Sequence, residues 1–171
     1  MKINIIVATS YFGGIGIRNT LPFACKKDMK HFTKMTKGNG NYNNAVLMGR
    51  KTWESLPIKP LPDRDNYVIS KTLSGDNVYN SITKCLHDCR EKKYNTLWII
   101  GGEKIYNSFI FEKYLSSTVD RIYMTKIHKQ YDCDVFFPVD EVCNGEKWKR
   151  IESKTEYEKN TQLDFSVYEH V

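Results

Sequence analysis

Short apolar segments recur along the first two thirds of the chain, and segments with helical spacing separate them. Two of the apolar segments, KINIIVAT (Lys2–Thr9) and TLWII (Thr96–Ile100), are almost uninterrupted by polar residues. A strand with water on one face alternates polar and apolar residues, whereas a parallel strand covered on both faces is apolar nearly throughout. The alternation of such strands with helices therefore predicts a mainly parallel sheet covered by helices.

The last part of the chain has a different pattern. The segments around Trp148–Tyr157 and Leu163–His170 both have strand character, and the turn-like sequence EKNT joins them with no helix between. We therefore predict an α/β fold, with a mostly parallel central sheet of about eight strands flanked by helices and an antiparallel C-terminal hairpin. No linker or repeat divides the chain, so we expect a single domain over residues 1–171. The other predicted strands are Ala45–Gly49, Asn66–Ser70, a short one near Val78 and Arg121–His128, and the predicted helices are Lys26–Thr36, a segment opening at Arg50, Ile82–Lys92 and a segment after Gly102.

Composition limits the class of protein. Apolar residues make up 40% of the chain and aromatic residues 13%, which excludes a wholly disordered protein. No apolar run approaches the roughly 18 residues that span a bilayer, and the N-terminus lacks the features of a signal peptide. We therefore expect a cytoplasmic protein with no membrane partner. The net charge of +6 is spread along the chain, which favours small polyanionic ligands over nucleic acid.

Metal-binding chemistry has little support in the sequence. The five cysteines are an odd number without a secretory signal, which predicts free thiols. Cys85 and Cys89 would share one face of a helix, but Ile82 and Leu86 extend that face as an apolar stripe, so core packing is favoured over a metal. The four histidines have no paired-ligand spacing, and we expect no metal site.

Several predicted strands end in residues that suit phosphate. Gly13–Gly16, Gly49–Thr52, Ser70–Thr72 and Gly101-Gly102 each follow a strand, and most of them combine a tight turn with a helix N-terminus, cations or hydroxyls. Free N–H groups and the positive end of the helix dipole attract phosphate there. Each feature alone also fits packing or a solvated surface. Because ligands collect at the carboxyl ends of parallel strands, the four together predict a polyphosphorylated ligand.

Asp28 is the one acid expected on the apolar face of its helix. It lies next to Met29 and four residues before Phe32, which predicts partial burial. Two interpretations remain open at this point. The carboxylate could complement the helix dipole, or it could bind a flat, amidine-like heterocycle through two parallel N–H bonds.

These segments resemble the dihydrofolate reductase family over essentially the whole chain. The matching segments follow the family order: IIVATS, GGIGIRNTLPF, the helix with Asp28, VLMGRKTWESLPIKPLPDR, NYVISK, LWIIGGEKIY, RIYMTKI and DVFFP. MGRKTWES and IIGGEKIY are the most specific. The resemblance implies NADPH-dependent reduction of 7,8-dihydrofolate to 5,6,7,8-tetrahydrofolate, with hydride transfer to pterin C6 and protonation at N5. This reaction supports one-carbon metabolism and thymidylate synthesis, and the enzyme is an antifolate target.

The resemblance also implies roles on the substrate side. Asp28 matches the catalytic acid that binds pterin N3 and the 2-amino group, and Thr125 matches the threonine that hydrogen-bonds this acid. Arg64 matches the arginine that holds the glutamate carboxylate of the substrate, where its planar fork is suited to bidentate binding. The implied pocket walls are Ile6, Val7, Ala8, Met29, Phe32, Leu56, Leu61, Ile100 and Tyr106.

On the cofactor side, the resemblance implies three contact regions for NADPH. The nicotinamide would lie near Ala8, Ile15 and Gly16. The adenosine 2′-phosphate would be held after a strand by Ser70 and Lys71. The other phosphates would meet two helix starts, one with Arg50, Lys51 and Thr52 and the other with Gly101, Gly102, Glu103, Lys104 and Ile105. The family has a cis peptide bond between the two glycines of the second helix start.

A mobile lid is a further implication. Gly14–Phe23 resembles the loop that closes the family's active site, and Asp134 matches an acid that can brace it. Phe23 stands where the family usually has tryptophan, so the indole N–H that orders a water near the substrate is missing. We expect slower or altered proton delivery, not loss of activity. Nothing resembles a fused thymidylate synthase domain, and we expect a stand-alone monomer.

Two other functions remain as alternatives. A reductase of the same fold could act on another heterocycle, such as a pyrimidine intermediate of riboflavin synthesis, but Asp28 and Arg64 would address a pterin and a glutamyl tail. A basic RNA-binding protein without turnover would fit the pI near 9.0 and Phe23. The Asp28–Thr125 pair argues against that function.

Overall fold

An eight-stranded sheet runs through the centre of the computed structural model, which describes residues 1–171. The strand order is β5-β4-β3-β6-β1-β7-β10-β9, and a separate two-stranded sheet pairs β2 with β8. The strands are β1 (Lys2–Thr9), β2 (Gly14–Gly16), β3 (Asn44–Gly49), β4 (Asp65–Ile69), β5 (Val78–Tyr79), β6 (Thr96–Gly101), β7 (Arg121–Ile127), β8 (Val135–Phe136), β9 (Trp148–Glu158) and β10 (Thr161–His170). The helices are α1 (Lys26–Lys37), α2 (Arg50–Ser55), α3 (Ile82–Glu91), α4 (Glu103–Phe111), α5 (Lys113–Thr118) and α6 (Val139–Cys143).

The predicted fold class is confirmed. All pairings from β5 through β7 are parallel, and β10 runs antiparallel to both β7 and β9. The bounds of the predicted elements agree with the structure to within a residue or two; β10, for example, begins at Thr161 instead of Leu163. The small sheet and the helices α5 and α6 were not predicted. Strands of two or three residues are too short for a periodic pattern, so pairing decides them.

The two faces of the sheet are covered unequally. One face carries a cluster of 25 buried apolar residues from β1, β3 and β6 and from α3, α4 and α5. The other face has five buried apolar residues, and its further packing comes from partly buried side chains such as Phe32 and Met35 of α1 and Trp53 of α2. Side chains alternate between faces along each strand, so one strand contributes to both. We call this second face the weakly sealed face; it is the one that can admit a ligand.

The apolar stripe of helix α1 was expected to face the sheet. Phe32 and Met35 do pack against the sheet, whereas Thr36 is the only buried residue of the helix and Met29 is 49% exposed. Helix α1 therefore covers this face of the sheet only in part. In contrast, Cys85 and Cys89 are fully buried in the larger cluster, as the apolar stripe predicted, and all five cysteines are free thiols. None of the helices is both long and apolar enough to cross a bilayer.

Burial in the larger cluster predicts where truncation destabilises the fold. Ile99 in β6 is fully buried, so Ile99→Ala should lower the free energy of unfolding by roughly 2–5 kcal/mol through lost transfer energy and a residual cavity. Urea denaturation followed by circular dichroism measures this change. The matched control is Ile151→Ala in β9, where the side chain is 39% exposed and the loss should stay below about 1 kcal/mol. Similar losses in the two variants would contradict the assigned core.

Candidate active site

The carboxyl ends of β3 and β6 meet at one edge of the sheet, where α2 and α4 begin. A Cβ atom at Gly49 would lie 3.3 Å from Ile105 Cγ1 and 3.9 Å from the backbone nitrogen of Gly102. A Cβ atom at Gly102 would lie 3.3 Å from Thr52 Oγ1. Glycine at these positions lets the two helix starts approach each other, so the two N-termini predicted to bind phosphate do lie side by side.

The turn after β6 has the backbone that the resemblance implied for the glycine pair. The Gly101-Gly102 peptide bond is cis, and Gly101 has φ of 121°, a conformation that side chains disfavour. A Cβ atom at Gly101 would also lie 3.2 Å from the ring of Tyr106, whose hydroxyl donates to the carbonyl of Ile6 at 2.8 Å. This hydrogen bond joins α4 to the central strand β1 beside the site.

Asp28 and Thr125 come together although 97 positions separate them in the sequence. Asp28 is partly buried in the first turn of α1, and Thr125 is buried on β7, where it pairs with Ala8 of β1. Burial raises the pKa of Asp28 to about 6, and the negative charge of Glu158 adds to this rise. Hydrogen bonding with Thr125 lowers the same pKa. The acid is therefore a poorly solvated carboxylate with one hydroxyl partner.

The predicted pocket walls divide between the two faces of the sheet. Phe32, Leu56, Leu61 and Ile100 pack with Ile6 on the weakly sealed face. Val7 and Tyr106 instead belong to the large cluster on the opposite face, as does Ile15, which was predicted on the cofactor side. For Val7, only the backbone can border a ligand next to Asp28. Ala8 is half-buried at the end of β1, and the exposed Met29 lies on α1 one residue after the acid.

Arg64 is buried and held in a fixed orientation. Its Nη1 donates to Thr36 Oγ1 at 2.7 Å, and its Nε donates to the carbonyl of Pro62 at 2.7 Å. Desolvation lowers the pKa of Arg64 and the neighbouring Asp63 opposes this shift, but an arginine stays charged at neutral pH. Neither hydrogen bond uses Nη2, so a preoriented guanidinium retains donors for an anionic ligand.

The predicted cofactor residues differ in how freely their side chains can act. Lys51, Lys71 and Lys104 are exposed, whereas Arg50 forms an ion pair with Glu54 at 2.9 Å. Ser70 Oγ accepts hydrogen bonds from the backbone nitrogens of Thr72 and Leu73, so it also shapes the loop after β4. The side chain of Glu103 accepts from the backbone nitrogen of Phe136 at 3.0 Å, and this link between α4 and β8 was not visible in the sequence.

The predicted lid is tied to the loop that carries Asp134. Strand β2 lies within the lid and pairs with β8, and Asp134 Oδ2 accepts from the backbone nitrogen of Arg18 at 3.0 Å. At the other end of the lid, Phe23 packs on a small cluster of Cys25, Ile127 and Leu163. The lid is thus held at both ends.

Comparison with known proteins assigns the chain to a family. The sequence profile of the family described as dihydrofolate reductase matches residues 2–170. The chain belongs to the dihydrofolate reductase family. It is 37% identical over 149 residues to the dihydrofolate reductase of Drosophila melanogaster, a match that covers 81% of this chain and 80% of that protein. The corresponding enzyme of Schistosoma mansoni is 40% identical over 149 residues, covering 81% of this chain and 78% of that protein.

A putative dihydrofolate reductase of Caenorhabditis elegans is 36% identical over 168 residues, covering 91% of this chain and 87% of that protein. Membership of the dihydrofolate reductase family makes the chain an oxidoreductase that uses a nicotinamide cofactor. The function expected from the resemblance in the sequence is confirmed at this level.

The raised pKa of Asp28 predicts that the acid destabilises the fold at neutral pH. Between about pH 4 and pH 6 the native state binds more protons at this group than the unfolded state does, so stability falls as pH rises through this window. Asp28→Asn removes this dependence. At about pH 7.5 the variant should be more stable than the wild type by roughly 1–3 kcal/mol relative to their difference below about pH 4. Urea denaturation of both proteins across this range measures it, and a difference independent of pH would contradict the assignment.

Proposed function

We propose that this chain catalyses the NADPH-dependent reduction of 7,8-dihydrofolate to 5,6,7,8-tetrahydrofolate. The observation that carries the proposal is the partly buried Asp28 of α1 beside Thr125 of β7, which pairs with Ala8 near the carboxyl end of the central strand β1. The family assignment supports the reaction class. The finer roles below follow from the local geometry and from the resemblance.

Asp28 would bind the pterin ring. A carboxylate can accept two parallel N–H bonds, from N3 and the 2-amino group, and Thr125 would steady it. The negative charge held against the ring favours protonation at N5, which the acid does not touch. A pKa of about 6 leaves Asp28 ionised at neutral pH while keeping proton exchange within the physiological range.

Arg64 would bind the other end of the substrate. Its guanidinium is buried and preoriented by Thr36 and Pro62, so little side-chain freedom is lost when a carboxylate binds. Phe32 and Leu61 pack on the weakly sealed face and would form the apolar wall between Asp28 and Arg64. The combination of an acid, an apolar wall and a cation favours a pterin with a glutamyl tail over a smaller heterocycle.

The two helix starts would hold the phosphates of NADPH. The closeness of Gly49 to Gly102 leaves backbone where a side chain would otherwise stand, and Thr52 and Lys51 lie on the first turn of α2. The exposed Lys71 next to Ser70 would bind the 2′-phosphate, which distinguishes NADPH from NADH. When bound, the cofactor supplies the hydride, and the nicotinamide would lie near Ala8 and the Ile15-Gly16 segment.

The lid would exclude water from the reacting rings. Pairing of β2 with β8 and the Arg18–Asp134 hydrogen bond hold it close to the site. Phe23 keeps apolar bulk at the end of the lid but has no N–H donor, so proton delivery to N5 relies on water without an indole to order it. The proposed working unit is a monomer, as the resemblance implies.

The test of this function is loss of absorbance at the NADPH band with purified protein and dihydrofolate. Turnover should depend on dihydrofolate, and Asp28→Asn should reduce it by about two orders of magnitude or more near neutral pH, because the pterin loses its anionic partner. NADPH affinity should stay close to the wild-type value. Asp140→Asn, an exposed change of the same kind, is the control and should leave turnover unchanged. Equal activity of Asp28→Asn and the wild type would refute the role of the acid.

Cofactor preference gives a second prediction. Lys71→Ala should weaken NADPH binding by roughly tenfold and leave NADH binding unchanged, because only NADPH carries the 2′-phosphate. Fluorescence titration with each cofactor measures the two dissociation constants. Lys113→Ala on α5 removes an exposed charge elsewhere and serves as the control. If the preference for NADPH is unchanged in Lys71→Ala, another group holds the 2′-phosphate.

A further inference from the structure

We propose that Glu158 is a positioning residue for Asp28, because it ties the C-terminal hairpin to the first turn of the helix that carries this acid. The inference rests on the function proposed above and extends it to a residue outside the pocket. It is carried by a pair of long-range hydrogen bonds, by the packing beneath them and by the charge of Glu158.

Helix α1 begins without a cap of its own. Cys25 occupies the N-cap position, and its side chain makes no capping hydrogen bond. The first backbone N–H groups of a helix have no partner within the helix, and Ser, Thr, Asp or Asn usually provides one. Glu158 fills this role from the far end of the chain: its Oε1 accepts from the nitrogen of Lys27 at 2.8 Å and its Oε2 from the nitrogen of Lys26 at 3.1 Å.

The carboxylate therefore holds the turn in which Asp28 lies. Asp28 is the next residue after Lys27, so a shift of these two amides moves the acid with them. A carboxylate at a helix N-terminus is also favoured by the helix dipole. The capping group sits on β9 and not on the loop before the helix, so the position of Asp28 depends on the C-terminal hairpin.

The same hairpin also contacts Thr125. Glu158 pairs with Thr161 at the end of the hairpin, and β10 then runs along β7 with Phe165 opposite Thr125. The ring of Phe165 lies 4.7 Å from the ring of His31, one turn further along α1. Two elements of the site, the helix with the acid and the strand with its hydroxyl partner, are thus aligned on one hairpin.

Packing under the first turn supports this alignment. Leu163 of β10 forms a buried cluster with Cys25 and Ile127, and Phe23 packs against it. Cys25 directly precedes α1 and Ile127 ends β7. The hairpin therefore fixes the start of the helix by hydrogen bonds from Glu158 and by apolar contact from Leu163.

Glu158 also acts on Asp28 through its charge. The groups that face Asp28 are the Thr125 hydroxyl from β7, the Tyr106 phenol from α4, the Cys25 thiol before the helix and the Glu158 carboxylate from β9. Burial raises the pKa of Tyr106 and of Cys25, so both are neutral near pH 7. Glu158 remains ionised because the amides of Lys27 and Lys26 hold its pKa low. It is therefore the neighbour whose negative charge opposes ionisation of Asp28.

Two variants separate the hydrogen bonds from the charge. Glu158→Gln removes the charge and keeps one acceptor oxygen, whereas Glu158→Ala removes both. The midpoint of the pH profile of hydride transfer, measured in single turnover, should move to lower pH by a few tenths of a unit in both variants. Only Glu158→Ala should raise the KM for dihydrofolate several-fold, with the KM for NADPH unchanged. The control Glu152→Gln changes an exposed acid of the same strand and should leave all three quantities unchanged.

Two results would contradict the positioning role of Glu158. A lower melting temperature in Glu158→Ala, with the wild-type midpoint and the wild-type KM for dihydrofolate, would make Glu158 a structural cap only. Titration of the Asp28 carboxyl by NMR in the wild type and in Glu158→Gln needs no turnover, so it keeps the inference testable if dihydrofolate is not the substrate. An unchanged midpoint there overturns the action of the Glu158 charge on Asp28, and an unchanged Asp28 titration in Glu158→Ala as well overturns the positioning role. Absence of wild-type dihydrofolate turnover overturns the proposed function instead.

Discussion

The parallel pairing of β1 on both sides is the constraint on which the rest of the structure depends. Strand β6 lies on one side of it and β7 on the other, and all three run in the same direction. Their carboxyl ends therefore reach one edge of the sheet, where the backbone leaves strand geometry and can face a ligand. Ala8 lies next to Thr125 on one side, and the Gly101-Gly102 turn follows β6 on the other. The sides proposed for substrate and for cofactor are thus adjacent as a result of strand order alone.

Unequal coverage of the two faces explains how such a small chain keeps an open site. The large cluster fills one face with the side chains of α3, α4 and α5, and this burial provides most of the hydrophobic stabilisation. The other face is left to partly buried side chains of α1 and α2. A helix with few buried residues has little packing to hold it in place. The position of α1 must then be fixed at its ends. The contacts of its first turn therefore determine its position more than they would in a fully packed helix.

Much of the fold could be predicted from the sequence because local patterns of apolar and glycine residues determine it. Apolar runs such as KINIIVAT mark buried parallel strands, and the glycine pair marks the turn before α4. The small β2–β8 sheet was missed because its strands of three and two residues depend on pairing across more than a hundred positions. The exposure of Met29 could not be predicted for a related reason: helical periodicity shows which residues share a face, but not how deeply each of them is buried.

Part of the candidate site could likewise be predicted from the sequence, and part could not. The helix starts were identified by their positions after strands, Asp28 by its place on the apolar face of a helix, and Thr125 by the resemblance to a family. The structure brings Asp28 next to Thr125 and one helix start next to the other. The role of Glu158 could not be predicted, since it lies 130 positions from Asp28 in a strand of alternating charges that reads as ordinary surface. Likewise, nothing in the sequence indicates that the Glu103 side chain accepts a hydrogen bond from the backbone nitrogen of Phe136 in β8, the strand that pairs with the lid. Both contacts depend on the register of distant strands.

Opposing influences set the ionisation of Asp28, and their balance suits its proposed task. A position in the first helical turn and a hydroxyl partner favour the charged form, whereas burial and the charge of Glu158 favour the neutral form. The raised pKa shows that burial and Glu158 prevail. A fully solvated acid would bind a flat heterocycle weakly, because water competes for its oxygens, and a fully buried acid without partners would stay protonated. The environment of Asp28, in a capped first turn at the margin of the weakly sealed face, lies between these limits. The incomplete coverage that weakens the packing of α1 therefore also leaves Asp28 solvated enough to ionise at neutral pH.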